Sequence, residues 1–553
     1  MRPRAVGVLA VACAFAIGSC GVPDAGPTPM RGASVELVAF GSCDAALEQF
    51  RAAALTQWEQ SEQVEPRPGV FQRGAIPAEA PAASPGSITK EQHSGTNNHE
   101  AGVEEPDLVQ TDGRRVVTVA DGRLRVIDVA SRRVTSTMDL PGGWAGELLV
   151  DGDRALVVGQ RELTLVDLTG AARLIGTLAV DGEYVDARLV AGRARVVVRS
   201  QPKPPPVEPH AIADTTIDDW LPAYDLTTAQ GTRSHGRLVD CENVYHPPEP
   251  GTSLLTVLTF ELGGPLGTGD PVAIAADGTT VYGSATNLYV AHNAPQGTAI
   301  HQFDIASPGA ARHVASGSAP GALLNQYSMS EHDGHLRVAT MTGADNTVTV
   351  LASKGSTLTA VGTLGGLGRG ERIYAVRFLG PVGYVVTFRQ TDPLYTLDLT
   401  DPARPRAVGE LKITGYSAYL HPAGDGRLIG VGQEADLQGR ALGLQVSLFD
   451  VGDAARPVRL AQHRLTGGMA QVEADTHAFL YWPPTGLLVL PTDTDALVLR
   501  VGDGSITEVG RIGGGSLVLR SLVLGDELWT VSQSGVLVHD ASTLSPIGSV
   551  QFA

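Results

Sequence analysis

An all-β fold built from one repeated unit is what this sequence predicts, and three observations carry that expectation. A strand phrase closed by aspartate recurs as VIDV, LVDL, QFDI, TLDL and LFDV, around Asp128, Asp167, Asp304, Asp398 and Asp450. From about Pro106 onward, short runs of Val, Leu, Ile and Tyr alternate with Asp-Gly, Gly-Asp and Pro, the pattern of strands joined by tight turns. At 553 residues the chain exceeds one ordinary core, so small cores must be added in series. Four-stranded units repeating at a pitch of roughly forty residues define a β-propeller, whose blades pack face to face around an axis. The clearest unit is Gly415 to Leu465, and others begin near Asp107, Trp144, Tyr184, Thr280, Asn325, Glu371, His477 and Val518. One weak unit could merge with a neighbour, so the expectation is eight blades, with nine as the alternative.

The elements follow in order from the N-terminus. Arg2 and Arg4, an apolar run from Ala5 to Ile17 and then Gly18-Ser19-Cys20 have the layout of a signal peptide over residues 1–19. The run is too short to span a bilayer. Small residues before Cys20 resemble a lipobox, in which the lipidated cysteine becomes the mature N-terminus and its acyl chains hold the protein on a membrane. Residues 20–92 then read as tether, helix and linker. Gly26 to Pro29 form a flexible tether, and residues 44–63 place Leu47, Phe50, Ala54, Leu55 and Trp58 at helical spacing behind Asp44, a candidate N-cap. Residues 64–92, rich in Pro, Ala, Gly and Glu, show no period and read as a linker.

The propeller is expected over 93–553, with its third unit split by an insertion at 200–252. That insertion opens on QPKPPPVEP and carries Trp220, Leu221 and Tyr224, aromatic and apolar enough to pack into an ordered loop. With Cys13 in the leader and Cys20 as the lipid site, Cys43 and Cys241 are left to pair in an oxidising compartment. Such a disulfide would stabilise by roughly 5 kcal/mol on the chain-entropy model and pin the N-terminal region to the insertion.

Charge narrows the function classes. The formal net charge is -18, and loss of residues 1–19 removes two arginines and no acid, giving -20. Without a concentrated basic run, a nucleic-acid partner is not expected. The repeated aspartates suggest a carboxylate ladder, but at a strand end an Asp side chain bonds the turn's own amides, so they are read as turn-formers. The stretch Thr96 to Arg115 gathers Asn97, Asn98, His99, Glu100, Glu104, Glu105 and Asp107 just before the first blade. It lacks the spacing of a calcium loop and is read as hydrogen-bonding the chain's approach to the ring, with a cation or ligand role as the lesser alternative. His292, His301, His332, His335 and His421 are scattered over several units, and His332-Asp333-Gly334-His335 is a turn sequence, so no metal ligands are assigned. The glycine-rich Gly365 to Arg372 precedes a strand rather than a helix, which excludes a phosphate loop and leaves a connection between units. Gly-x-Ser-x-Gly and His-Glu-x-x-His are absent, no catalytic residue is assigned and no cofactor can be named. At FRQTDPLYTLDL, Arg389, Gln390, Asp392 and Tyr395 group donors, an acid and a ring at a strand connection. Together with Trp220 and Tyr224 they are the candidate ligand-binding residues.

Four phrases, TNNHEAGVEEPDLVQTDGRR, GALLNQYSMSEHDGHLRVATMT, GERIYAVRFLGPVGYVVTFRQTDPLYTLDLTDPARP and GYSAYLHPAGDGRLIGVGQE, resemble a family of bacterial and archaeal secreted proteins. That family carries a C-terminal β-propeller distantly related to WD-repeat domains. The resemblance runs from about Val38 to the C-terminus and implies the fold and an extracytoplasmic location; it supplies no catalytic residue or substrate. The chain has no recurring Gly-His to Trp-Asp pair, so WD-repeat partners are not inherited. The function expected is a lipoprotein on the bacterial cell membrane, otherwise an ordinary secreted protein cut near the same place, whose propeller binds an envelope or extracellular protein, peptide or glycan without catalysis. The alternative is a hydrolase or lyase acting at the channel mouth.

Overall fold

The computed structural model describes residues 37–62, 92–143, 146–203, 209–247, 251–294, 297–343, 345–389, 392–424, 426–436, 438–513 and 515–552. The proposed lipid site Cys20, the tether at 26–29 and residues 64–91 of the linker lie outside them. Among the described residues no helix is long and apolar enough to cross a membrane.

Among the described residues nine antiparallel meanders of four strands follow one another, at residues 109–139, 147–180, 183–274, 280–319, 329–367, 372–413, 416–464, 480–512 and 518–551, called blades 1 to 9 here. Alternating strand residues bury one face against the preceding blade and the other against the following one. Nine hydrophobic clusters result, each joining two neighbours. The ring closes where Trp529, Leu522 and Val536 of blade 9 pack with Val109, Val116 and Ile127 of blade 1. Among the described residues no strand is exchanged at this joint: each of the two blades draws its four strands from its own stretch of chain. The joint is reinforced by Arg132 with Glu527 and by the Arg125 guanidinium, 4.7 Å above the Phe552 ring.

The described residues form nine blades, the alternative count rather than the eight expected first. Hydrogen bonding defines eight sheets, because the outermost strands of blades 4 and 5 pair in parallel at Ser316 with Thr357 and Gly317 with Leu358. Packing defines nine blades. The fused junction needs the glycine, since a Cβ on Gly317 would sit 2.4 Å from the Leu358 carbonyl oxygen.

Meander geometry sorts the connections onto two faces. Turns between second and third strands, and links from one blade's fourth strand to the next blade's first, share one face, called the upper face here. Turns between third and fourth strands lie on the lower face, and there the repeated aspartates sit. The carboxylates of Asp128, Asp167, Asp304, Asp398 and Asp450 accept the backbone N–H two or three residues on, from Ser131, Thr169, Ala306, Thr400 and Gly452, at 2.8–3.0 Å. Asp540 does the same for Ser542 and Thr543.

Outside the ring, helix α1 (Cys43–Glu62) starts at Ser42, whose hydroxyl accepts the Ala45 N–H at 3.2 Å; Ser42, rather than Asp44, is the N-cap. Its face of Ala46, Phe50 and Ala54 is buried against Ile212, Trp220, Leu221 and Val244. Those residues come from the segment between Ser200 and Leu254, which interrupts blade 3. The segment lays a hairpin, Ala223–Thr228 and Arg233–Arg237, along the outer edge of blade 2. It also adds the strand Val244–His246 to blade 3, where Val38–Ala39 pairs with it. The Cys43–Cys241 disulfide, with Cα atoms 5.3 Å apart, fastens helix to insertion.

Candidate functional site

The channel of the propeller is filled by its own chain. Residues 93–108 run through the axis and touch the first strands of successive blades before becoming blade 1. His93 bridges Leu524 of blade 9, and Ser94 exchanges hydrogen bonds with Val523 at 2.8 and 2.9 Å. Asn97 donates from Nδ2 to the Tyr419 hydroxyl of blade 7 at 3.0 Å and to the Thr476 carbonyl at 2.9 Å. The His99 ring lies between Tyr282 of blade 4 and Tyr327 near blade 5, with centroids 5.0 and 4.4 Å away. Glu104 bridges Leu189 of blade 3, and Asp107 bridges Leu148 of blade 2. Within the plug, Asn98 donates to Glu104 Oε2 at 2.7 Å and accepts the Glu105 N–H at 3.0 Å, closing a turn.

Charge complementarity holds the plug. Four acids, Glu100, Glu104, Glu105 and Asp107, meet a lining that carries Arg188, Arg337, Arg377, Arg520 and His477. Arg188, Arg377 and Arg520 stand on the first strands of blades 3, 6 and 9, equally spaced around the ring. Asp107 Oδ1 lies 2.5 Å from Arg520 Nε, whose guanidinium also reaches Asp475 at 2.8 Å. Glu105 stands between Arg188 and His477, each at 3.4 Å, and Arg188 pairs further with Asp186 at 2.7 Å.

Burial alone would raise the Glu105 carboxyl, but Arg188 and His477 hold it below its usual range. Burial would lower His477, yet Asp107, Glu105 and Asp475 lift it to about 9, so the imidazole is a cation at neutral pH. Glu100 is raised, chiefly by burial, against the hydrogen bond from the Tyr282 hydroxyl at 2.8 Å. His99 is driven well below its ordinary value by burial and the surrounding arginines, so it is neutral. The stretch expected to hydrogen-bond the chain's approach to the ring does so in the axis itself. A residual cavity of about 10 Å³, room for about one water, lies beside it among Tyr327, Ala375 and Tyr419.

The rim of the upper face holds the other candidate residues. Arg389 lies at the second turn of blade 6, exposed. Tyr395, half-buried, accepts the Gly368 N–H on its hydroxyl at 3.2 Å and so clamps the glycine-rich connection from blade 5. Gln390 and the side chain of Asp392 lie outside the described residues. Trp220 sits apart from this rim: it is 2% exposed, stacked on Phe50 at 5.4 Å, and donates from Nε1 to Thr215 at 3.0 Å. Tyr224 belongs to the hairpin added to blade 2 and packs on the blade 2–3 core. Trp220 therefore lies in a packed core, and Tyr224, half-buried, packs against one. His332 and His335 close a hairpin tip through Asp333 and Gly334, both at positive φ, while His301 and His421 are buried.

Three groups were not singled out from the sequence. The buried arginines leave a legible trace, one arginine inside an otherwise Val- and Leu-rich first strand. The aromatic trio Tyr374, Phe388 and Tyr416, with centroids 4.4–5.6 Å apart, is assembled from two blades and has no local signature. Arg369 and Arg372 stand in the connection read only as a link.

A ring of four-stranded blades around a filled axis defines a β-propeller. The chain belongs to the Beta propeller domain family, whose model matches residues 93–544. It is similar to an uncharacterized protein of Archaeoglobus fulgidus, 27% identical over 86% of this chain and 87% of that protein. It is also similar to an uncharacterized protein of Methanocaldococcus jannaschii, 38% identical over 43% of this chain, though the match spans only 38% of that relative's length. Among solved structures, the computationally designed Ika8 protein is similar at TM-score 0.38 and 11% identity, covering 83% of this chain and 99% of that one. The periplasmic gluconolactonase PpgL of Pseudomonas aeruginosa is similar at TM-score 0.36 and 12% identity, covering 54% and 92%.

Proposed function

We propose that this chain is an extracytoplasmic, lipid-anchored propeller that binds a protein, peptide or envelope glycan on its upper face, without catalysis. The observation that carries the reading is the plug. Residues 93–108 take up the axial space in which a propeller can house a small reactant, and their carboxylates are engaged by arginines, His477, Asn98 and Tyr282. Binding is left to the faces. On the upper face Leu442, Met469 and Leu517 are 52%, 50% and 44% exposed, and they follow one another over blades 7 to 9. Beside them lies a cleft of about 310 Å³ lined by Leu444, Leu465, Met469, Asp493 and Arg511. Exposed apolar side chains gathered on one face are the usual mark of an interaction surface. The Cys43–Cys241 disulfide suits an oxidising compartment, and Cys20 supplies the anchor.

Two measurements test this. Metabolic labelling with a fatty-acid analogue should mark the wild type and not Cys20→Ala; equal labelling of both removes the anchor. Capture from solubilised envelope should lose its partners with the triple variant Leu442→Lys, Met469→Lys, Leu517→Lys. Retention of the same partners by that variant removes the upper face from the reading.

A further inference from the structure

The glycine-rich connection between blades 5 and 6 and the turn facing it carry three guanidiniums that make no ion pair among the described residues. Arg369, Arg372 and Arg389 are exposed, and among the described residues no acidic side chain lies within ion-pair distance of them. The neighbouring acids are occupied in building the loop. Asp345 accepts the Gly366 N–H on both carboxylate oxygens at 2.9 and 3.0 Å, and Glu371 Oε2 accepts the Thr387 hydroxyl at 2.5 Å. On the lower face Arg173, Arg312 and Arg406 each close on the aspartate of their own turn, at 2.6, 2.8 and 2.6 Å, and on the upper face Arg440 and Arg464 pair with Asp436 and Glu434 at 2.7 and 2.8 Å. In a chain of net charge -18, unanswered arginines on one rim mark a place where an anion is to be received.

Hydrogen bonds hold the connection that carries Arg369 and leads into Arg372. Asn346 Nδ2 donates to the carbonyls of Leu367, Gly368 and Glu371 at 2.7, 3.2 and 3.2 Å, and Tyr395 takes the Gly368 N–H. Arg389 lies against Gly370, where its Nη1 would be 3.8 Å from an added Cβ. Arg372 stands directly opposite Phe388 in the blade 6 sheet. Next to it a bulge between Ile373 and Ala375 frees Tyr374 from the ladder and turns it toward Phe388 and Tyr416, at 5.6 and 4.4 Å. Tyr374 and Tyr416 are half-buried, so a ring cluster that is partly exposed lies at the strand pair that carries Arg372.

We propose that Arg369, Arg372 and Arg389, with the Tyr374, Phe388 and Tyr416 rings beside them, form a subsite for a carboxylate-bearing saccharide. The planar guanidinium fork matches a carboxylate in two parallel hydrogen bonds. The apolar body of an aromatic ring, with its electron-rich face, meets the C–H bonds of a pyranose, and its hydroxyl keeps a polar tip for the sugar. An acidic saccharide supplies both features in one ligand, whereas a simple inorganic anion uses only the arginines. The inference rests on the upper face being the binding face and names the chemistry it takes there.

The test titrates the full chain calorimetrically with a short oligogalacturonate, its fully methyl-esterified neutral form and polyglutamate of matched charge. The acid form should bind, and esterification should weaken it by about tenfold or more, as should the double variant Arg372→Gln, Arg389→Gln. Tyr416→Phe with Tyr374→Ala should weaken the saccharide and leave any weak polyglutamate binding unchanged. Four results overturn the subsite: no binding of the acid form, equal binding of the ester, wild-type affinity in the arginine variant, or polyglutamate binding as tightly as the saccharide. If the subsite fails while the Leu442, Met469, Leu517 variant still loses its envelope partners, the binding face stands and only its ligand is wrong.

Discussion

His477 is one side chain through which pH reaches the centre of the molecule. It is buried beside Glu105 at 3.4 Å and Asp475 at 3.8 Å, and its folded-state value of about 9 lies above that of an unfolded chain. A histidine raised on folding stabilises fully below its unfolded value, near pH 6.5, and loses that contribution as pH rises through 9. His477→Gln should therefore cost stability on the order of 3 kcal/mol at pH 6 and little above pH 9.5, read from urea midpoints of both proteins at each pH. A cost that does not change with pH would mean that the ring's shape matters and its charge does not. Other residues were readable without the fold. The aspartates at 128, 167, 304, 398 and 450 are turn-formers because a short carboxylate after a strand reaches the amides just ahead, a purely local geometry. The partners of Arg188 and Arg520 were not readable, since Glu105 and Asp107 lie far away in the chain and meet them only across the axis.

Helix α1 and the insertion show how an element can be legible while its role is not. The helical spacing of Phe50 and Ala54 and the pairing of Cys43 with Cys241 both follow from the chain. That Trp220 covers Phe50 does not, because aromatic content argues equally for a packed loop and for a ligand surface. The disulfide closes a sequence separation of 198 residues, and a chain-entropy account would give it roughly 5 kcal/mol of global stability. Its native neighbours argue for a more local effect. Helix α1 is held by one satellite cluster that no blade interface depends on, since the nine inter-blade clusters draw on none of its residues. Reduction should accordingly raise hydrogen exchange and proteolysis in residues 43–62 and in the 209–243 segment, with blades 5 to 9 unchanged. Loss of protection across the whole ring on reduction would instead make the disulfide a global clamp.

At the scale of the ring, the repeat announces blades but is silent about how the circle closes. Many closed sheets solve this by pairing strands from both chain ends, but among the described residues blades 1 and 9 share none, and the joint is made by side chains and the plug. Residues 93–108 touch blade 9 at Leu524, blade 7 at Tyr419, blade 4 at Tyr282, blade 3 at Leu189 and blade 2 at Leu148. One segment therefore fills the axis and fixes the relative positions of blades far apart in sequence. Its charges explain why it cannot be dispensed with: without Asp107 and Glu105, Arg520 and Arg188 would keep only part of their ion pairing in a buried channel, and breaking a buried pair costs about 3–5 kcal/mol. A chain beginning at residue 92 should then melt as one cooperative ring close to the full-length protein, and one beginning at 109 should not. Adding the peptide 92–108 in trans to the shorter chain should restore protection in blades 2, 3 and 9 and raise its melting temperature with peptide concentration. If the chain from 109 melts like the chain from 92, the ring closes through blade packing alone and the axial segment only occupies space.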